Sequence, residues 1–354
     1  MLKLDRLSQI VASFRGKRLV VFGDLIADEY VYGRVARVSR EAPVLILEYD
    51  ATEVVPGGAG NAAANVAGLG AAVTLVSLVG RDDAGGRLLK VLPKGVERRG
   101  LSRPGGYRTP VKTRILAGGI HSAKQQVVRI DRFAGEPVAE AHRLAAERAA
   151  RKAVRGADAV LVSDYGSGLV TPKFVHELAK LTGNGPANHL RQGSGGQEAG
   201  RHTRAGRHIP ILIDSRYALT KYRGLTACTP NESEVEQVLG VTIDDRAPVL
   251  ERAGRALLKR TRNDAVLITR GSRGMALFEA GKPTVHIPIF GSDQIADVTG
   301  AGDTVMATMT LALAAGATFE EAARLANFAG GLVVMKRGTA TVSAAELRRA
   351  VSHG

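Results

Sequence analysis

The stretch Arg18-Leu19-Val20-Val21-Phe22-Gly23-Asp24-Leu25-Ile26-Ala27-Asp28 is an apolar run closed by a glycine and two carboxylates. A strand over residues 18–23 would be apolar on both faces, as strands buried in a parallel sheet are. Asp24 and Asp28 would then stand at its C-terminal end, where open α/β sheets bind their ligands. Four more runs share this character: 73–79, 159–163, 210–214 and 265–269. Ala-rich stretches of helical period accompany them at 138–155, 171–181, 231–239, 247–261, 302–315 and 319–336. Such alternation predicts an α/β fold with a mostly parallel central sheet.

A second group of short runs, 30–33, 43–49, 110–117 and 126–131, has no helices between its members and more polar alternation. These predict a small sheet laid over the main one, with strands drawn from about 30–49 and 110–131. Residues 183–208 contain seven glycines and no apolar period, so a flexible insertion without packing of its own is expected there. No internal repeat and no sharp boundary divides the chain, and residues 1–354 are expected to form one domain.

With 354 residues, 45% hydrophobic and 23% charged, the chain can bury a substantial core. No run approaches the roughly 20 uncharged apolar residues of a membrane helix, and Asp5 spoils the opening stretch as a signal peptide. A cytoplasmic protein without a membrane partner is expected. The single cysteine, Cys228, excludes an internal disulfide framework and a cysteine-built zinc site, and the eight histidines show no HExxH spacing. Any metal would sit on oxygen. The net charge of +15 invites a nucleic-acid reading, because Lys and Arg release counterions from phosphate backbones. Residues 94–108 and 183–208, both loop-like, hold seven of those fifteen charges, and neither offers an aromatic stacking platform, Tyr107 being alone. No nucleic-acid partner is expected.

Chemistry concentrates in Asp297-Val298-Thr299-Gly300-Ala301-Gly302-Asp303, ahead of an Ala-rich helix. Glycines at a helix entrance let backbone N–H groups approach an anion, and the helix dipole adds positive potential there. Asp303 can take the proton of an attacking hydroxyl while those amides stabilise phosphoryl charge. The plainer alternative is that Asp303 and Thr304 cap the helix. A second cluster, Pro56-Gly57-Gly58-Ala59-Gly60-Asn61, opens another Ala-rich helix. It is neither a P-loop nor a dinucleotide-binding GxGxxG.

Together these residues resemble the PfkB/ribokinase family of sugar kinases. Gly57 to Asn61 with Gly70 and Gly80 matches that family's N-terminal signature, and Asp297 to Asp303 the core of its C-terminal one. Arg37-Val38-Ser39-Arg40-Glu41-Ala42-Pro43, Gln125 to Asp131, Ser163-Asp164-Tyr165, Thr229 to Glu234 and Gly338 to Ser343 are most similar to the family's heptose-7-phosphate kinase branch. The resemblance runs from about residue 18 to 349.

The resemblance implies a ribokinase-like three-layer α/β/α sandwich with a β-sheet lid, ATP as donor and Mg²⁺ as cofactor. The acceptor would be D-glycero-β-D-manno-heptose 7-phosphate, made into heptose 1,7-bisphosphate for ADP-heptose and lipopolysaccharide core. By motif match Asp303 would be the base, with Gly300, Ala301 and Gly302 forming the anion hole. Asp28, Gly57, Gly58 and Asn61 would hold sugar hydroxyls. Asn231 and Glu234 match an Asn-x-x-Glu element that would serve ATP and, through water, Mg²⁺; the alternative is a capped helix. Thr269, Gly271 and Gly274 resemble the nucleotide-side loop, and Asn327 and Lys336 would also meet the nucleotide. Lys336 could equally close a helix C-terminus. Arg37, Arg40 and Arg129 are candidates for the acceptor's phosphate, since Arg recognises it bidentately, or are solvated lid charges. Asp164 and Asp214 are plausible polar contacts of the cleft.

Residues 93–106 and 183–208 depart from the family's course, and Thr308 stands where a small residue is usual, which could crowd the anion hole from behind. No His-x-Gly-His stretch occurs, so kinase activity alone is expected, with a nucleotidyltransferase on a separate chain. A homodimer paired through the lid is expected. Two alternatives stand beside this reading: a kinase of the family acting on another sugar or sugar phosphate, and a non-catalytic basic binding protein on the same fold.

Overall fold

The structure, a computed structural model, describes residues 4–118, 124–133, 137–183, 208–243, 247–291, 297–336 and 338–353. Its strands are β1 (Arg18–Gly23), β2 (Leu25–Val38), β3 (Leu45–Gly58), β4 (Ala72–Leu78), β5 (Val96–Ser102), β6 (Val111–Gly118) and β7 (Gln125–Arg132). They continue with β8 (Ala159–Asp164), β9 (Ile211–Ser215), β10 (Ala227–Cys228), β11 (Ala265–Thr269), β12 (Met275–Glu279) and β13 (Val285–Ile287). The helices are α1 (Leu4–Ala12), α2 (Ala59–Gly68), α3 (Asp83–Val91), α4 (Glu140–Val154) and α5 (Pro172–Leu181). The rest are α6 (Glu232–Leu239), α7 (Ala247–Thr261), α8 (Ala301–Ala314), α9 (Phe319–Val334) and α10 (Ala344–His353).

Nine strands form the main sheet in the order β13-β12-β11-β10-β9-β8-β1-β4-β5. All neighbours from β11 to β5 pair in parallel, and β12 and β13 close one edge antiparallel. Alternation along β1 builds two cores at once. Leu19 and Val21 point into the layer of α1, α2, α8, α9 and α10, and Val20 and Phe22 into that of α4 to α7. The expected α/β/α sandwich is therefore present.

The second sheet runs β3-β2-β6-β7, with β2 and β6 parallel and the outer pairs antiparallel. Its first two strands are far longer than the 30–33 and 43–49 expected. Leu25 pairs with Gly58 and Asp28 with Val55, so the lid begins one residue after β1 ends and runs directly into α2. Pro56 and the two glycines close β3, an edge strand, where a proline removes no needed ladder bond. That continuity brings Asp28 and the glycine cluster to the mouth of the main sheet.

Residues 94–108 are not a loop: 96–102 form β5, the sheet edge beside β4. Only Val96 and Gly100 are buried on this strand while Arg98 and Arg99 face water, so no apolar run betrays it. Gly100 is required by close approach, since a Cβ would stand 2.6 Å from the Leu75 carbonyl oxygen. Of the insertion expected at 183–208, residues 184–207 lie outside those described. Its flanks adjoin, Ile209 N–H donating to the Thr182 carbonyl at 2.9 Å, so β8 and β9 pair undisturbed. Thr308 is buried without crowding, because its hydroxyl folds back to donate to the Thr304 carbonyl at 2.8 Å. Among the described residues no helix is long and apolar enough to cross a membrane.

Candidate active site

At the entrance of α8, Gly300 takes a left-handed φ of 78° as the residue before the helix. A side chain is excluded there twice over, since a Cβ would also stand 2.5 Å from Asn61 Nδ2. Asp297 clips this turn in place: its carboxylate accepts from Thr299 N–H at 2.8 Å and from Gly338 N–H, beyond α9, at 3.1 Å. Of the three expected anion-hole amides, that of Ala301 donates within the turn to the Val298 carbonyl at 3.2 Å. Gly302 is exposed and has nothing within 4 Å of where its Cβ would be. First-turn N–H groups have no intrahelical acceptor, so the Gly302 amide stands open to an anion.

Asp303 follows on the buried side of this turn, 6% exposed. Asn61 Nδ2 donates to one carboxylate oxygen at 2.8 Å and the Tyr165 hydroxyl to the other at 3.2 Å. Burial pushes the Asp303 carboxyl up to about 6; the Asn61 bond pulls down, the Asp28 charge pushes up, and the Tyr165 bond and Lys112 charge pull down. A base poised just below neutrality, with two donors fixing its orientation, is suited to accept a hydroxyl proton. Asn61 is itself fixed, its Oδ1 accepting from Asn65 at 3.1 Å, while Asn65 Oδ1 accepts from Thr304 at 3.1 Å. The amide expected to hold sugar hydroxyls thus also orients the carboxylate.

Asp28, on β2, lies on the same side of the cleft and is paired with Arg114 of β6 at 2.6 Å. Gly57 leaves room for it, since a Cβ there would stand 2.2 Å from Asp28 Oδ2. Gly58, at φ 54°, lets the chain pass beside the Asp24 carbonyl and the Tyr165 ring. These glycines make space rather than hold a ligand with side chains. Asp24, the other carboxylate of the opening stretch, is spent on architecture: it accepts from Tyr165 N–H at 2.8 Å, Ser167 N–H at 3.2 Å and the Ser167 hydroxyl. Asp164 likewise accepts from Gly166 N–H, the Ser215 hydroxyl and the Tyr222 hydroxyl at 3.0, 2.8 and 2.6 Å, which ties the ends of β8 and β9.

Three charged or polar groups of the site had no role assigned from the sequence. Tyr165 is a neutral donor, burial holding its hydroxyl well above its ordinary range. Lys112 of β6 is buried, with its ammonium 4.4 Å from the centre of the Tyr165 ring. Arg114 holds Asp28. Of the lid arginines, Arg37 and Arg40 are exposed near the far end of β2, as solvated lid charges would be, and Arg129 is paired with Asp131 at 2.9 Å.

On the side where the nucleotide is expected, Asn231 caps α6 in a reciprocal box with Glu234, at 2.9 and 3.0 Å. Glu234 also faces Asp214, and burial with that neighbouring charge pushes Asp214 well above the usual carboxylate range; burial raises Glu234 too. No hydrogen bond from the described residues reaches the Asp214 carboxylate, and the Arg216 charge acts on both acids. Two such carboxylates fit a divalent cation, whose charge would relieve their repulsion. No set of three ligating side chains converges among the described residues, so an ion here would keep water in its shell. Thr269 bridges to Asn231, and Gly271 and Gly274 turn the chain into β12 with φ of 56° and 77°. Asn327 donates to the Pro288 carbonyl at 2.9 Å. Lys336 is tied to Glu346 and to the Thr341 carbonyl, both at 2.7 Å.

Residues 17–186 and 193–346 match the pfkB family carbohydrate kinases. Among curated proteins, the chain is 40% identical over 337 residues to "Bifunctional protein HldE" of Trichlorobacter lovleyi, covering 95% of this chain and 63% of that one. It is 39% identical over 340 residues to the protein of the same name from Desulfatibacillum aliphaticivorans, covering 96% and 64%. The chain therefore spans just under two thirds of the length of these relatives. Among solved structures, Arabidopsis thaliana ribokinase complexed with ribose and ATP superposes with a TM-score of 0.69 at 20% identity, covering 95% of this chain and 98% of that one. That likeness is one of fold.

Proposed function

The chain belongs to the pfkB family of carbohydrate kinases, phosphotransferases with an alcohol group as acceptor, and from that premise we propose that it phosphorylates the anomeric hydroxyl of D-glycero-β-D-manno-heptose 7-phosphate. Heptose 1,7-bisphosphate and ADP would be the products. The observation that carries the transfer step is Asp303, buried between two donors beside the open Gly302 amide. In the proposed step Asp303 accepts the hydroxyl proton as the hydroxyl oxygen forms a bond to the γ-phosphorus of ATP. The bond from that phosphorus to the β–γ bridging oxygen breaks, and its electron pair leaves with ADP. The Gly302 amide and the α8 dipole stabilise charge on the phosphoryl oxygens. Glu234 and Asp214 are the residues that would hold Mg²⁺, whose charge neutralises the phosphates.

The acceptor's identity rests on the likeness to the bifunctional relatives, over the part of them this chain spans. The proposal concerns the kinase step. Adenylyl transfer would need a His-x-Gly-His stretch, which these 354 residues do not contain. We also propose that a second copy covers the outer face of the lid, where Val128 and Ile130 of β7 are 48% and 49% exposed on the side away from Arg129.

The test is ADP release from Mg²⁺-ATP against a panel of sugars and sugar phosphates. Turnover confined to heptose 7-phosphate is expected. Equal or better turnover on ribose, fructose or a hexose phosphate would overturn the acceptor while keeping the family's chemistry.

A further inference from the structure

Lys112 stands apart from the other charges of the lid. On the cleft face of the small sheet, Lys112 and Arg114 of β6 lie opposite Asp131 and Arg129 of β7 and beside Asp28 and Tyr30 of β2. Each of its charged neighbours there is paired. Asp28 is bound by Arg114 at 2.6 Å, and Asp131 by Arg129 at 2.9 Å. Lys112 itself, 6% exposed, makes neither a hydrogen bond nor an ion pair with the described residues. Its one close partner is the face of the Tyr165 ring, 4.4 Å away.

A buried ammonium held by no hydrogen bond or ion pair is costly, and the face of one aromatic ring offsets only part of that cost. Burial accordingly lowers the Lys112 ammonium from its ordinary range, with Asp28 acting in the opposite sense. An unpaired cation is retained in such a place when a ligand supplies the anion. Its position says which part of the ligand. The Tyr165 ring that carries Lys112 on its face also donates its hydroxyl to Asp303, so ammonium and base are separated by one ring and one hydrogen bond. A sugar whose reacting hydroxyl meets Asp303 would extend its far end across that ring.

Resting on the kinase reading above, we propose that Lys112 is the cation that binds the phosphate of a phosphorylated acceptor, with the Tyr165 ring as the spacer that sets its distance from the base. Arg129 and Arg37, the expected phosphate ligands, are not needed for this contact. Lys112 would therefore decide between phosphorylated and unphosphorylated acceptors.

The experiment compares kcat/KM for heptose 7-phosphate and for the same heptose without its phosphate, in the wild type, Lys112→Met and Arg129→Met, with thermal melts and the KM for ATP recorded alongside. Methionine keeps an apolar stem against Tyr165, so the fold is expected to persist. Loss of one charge-assisted contact predicts a KM for heptose 7-phosphate raised about 30-fold in Lys112→Met, with the phosphorylated-over-unphosphorylated ratio falling by a similar factor. Arg129→Met is expected to change that ratio by less than about threefold. An unchanged ratio in a folded Lys112→Met would overturn the proposal. So would a fall in kcat at constant acceptor KM, which would place the ammonium on the transferring phosphoryl group. If the wild type prefers another sugar phosphate, the heptose reading falls and the same ratio, taken on that sugar phosphate, still judges Lys112. If it prefers unphosphorylated sugars, both fall.

Discussion

The two sides of the cleft spend their polar residues differently. On the transfer side, Asp303, Asn61, Tyr165 and Lys112 form a chain of contacts that leads to one carboxylate and leaves one ammonium open. On the side proposed for the nucleotide, Asn231, Asn327 and Lys336 each end on another part of the protein: a capping box, a loop carbonyl and an ion pair with α10. The difference teaches that the same family motifs carry two kinds of information. One set aims a reacting group; the other holds up the wall beside it, where a nucleotide can be gripped by backbone and shape. Only Glu234, facing Asp214, does both.

The comparison breaks most easily at Asp303. Asp303→Asn is expected to lower kcat by about a thousandfold or more while leaving both KM values within a few-fold, because it removes the proton acceptor and little else. A tenfold loss in steady-state ADP release would mean that proton transfer lies elsewhere. Asn61→Ala comes next. It deletes the donor that fixes the carboxylate, and misplacement by about 1 Å costs on the order of a hundredfold in kcat. Wild-type kcat in this variant would move Asn61 from the orienting chain to simple helix packing.

A smaller effect sharpens the same side through pH. Burial raises the Asp303 carboxyl to about 6, so the proton that disables the base binds at a higher pH than on an ordinary carboxylate. Activity should therefore be full above about 7 and fall as pH drops through 6, about tenfold lower at pH 5. The Asn61 bond favours the ionised form, so in Asn61→Ala the inflection of kcat/KM against pH should move upward. An inflection that stays in place would separate the pH dependence from Asp303.

Much of this was legible in the sequence, and the gaps follow a physical line. Strands apolar on both faces, such as 18–23 and 265–269, announce themselves because nearly every residue is buried, Arg18 and Thr269 at their ends excepted. β5 does not, since an edge strand needs only Val96 and Gly100 inside. Asp303 and the glycine cluster are found because a turn with left-handed Gly300 against Asn61 admits few residues. Lys112 is silent for the opposite reason. In Val111-Lys112-Thr113-Arg114 it alternates like any solvated strand charge, and its burial comes from Tyr165, fifty-three positions later, arriving from β8. Charge patterns in a strand show which residues share a face. They do not show what closes over that face.

The smallest expected effect tests the other half of the comparison. Lys336 and Glu346 form a pair in which each side chain is about a third exposed, and the Lys336 bond leads the influences that hold the Glu346 carboxyl down at about 2. Because water screens such a pair, Lys336→Met should cost about 1 kcal/mol of stability or less, read as a small drop in melting temperature. The depressed Glu346 carboxyl makes that contribution present at neutral pH and lost as pH falls below the ordinary carboxylate range, so wild type and variant should converge in acid. The KM for ATP should change by less than about twofold, since the ammonium already spends its bonds on Thr341 and Glu346. A tenfold rise in that KM with an unchanged melting temperature would mean that Lys336 leaves Glu346 for a phosphate when nucleotide binds. The nucleotide side would then be built like the transfer side, with a charge held in reserve for its ligand.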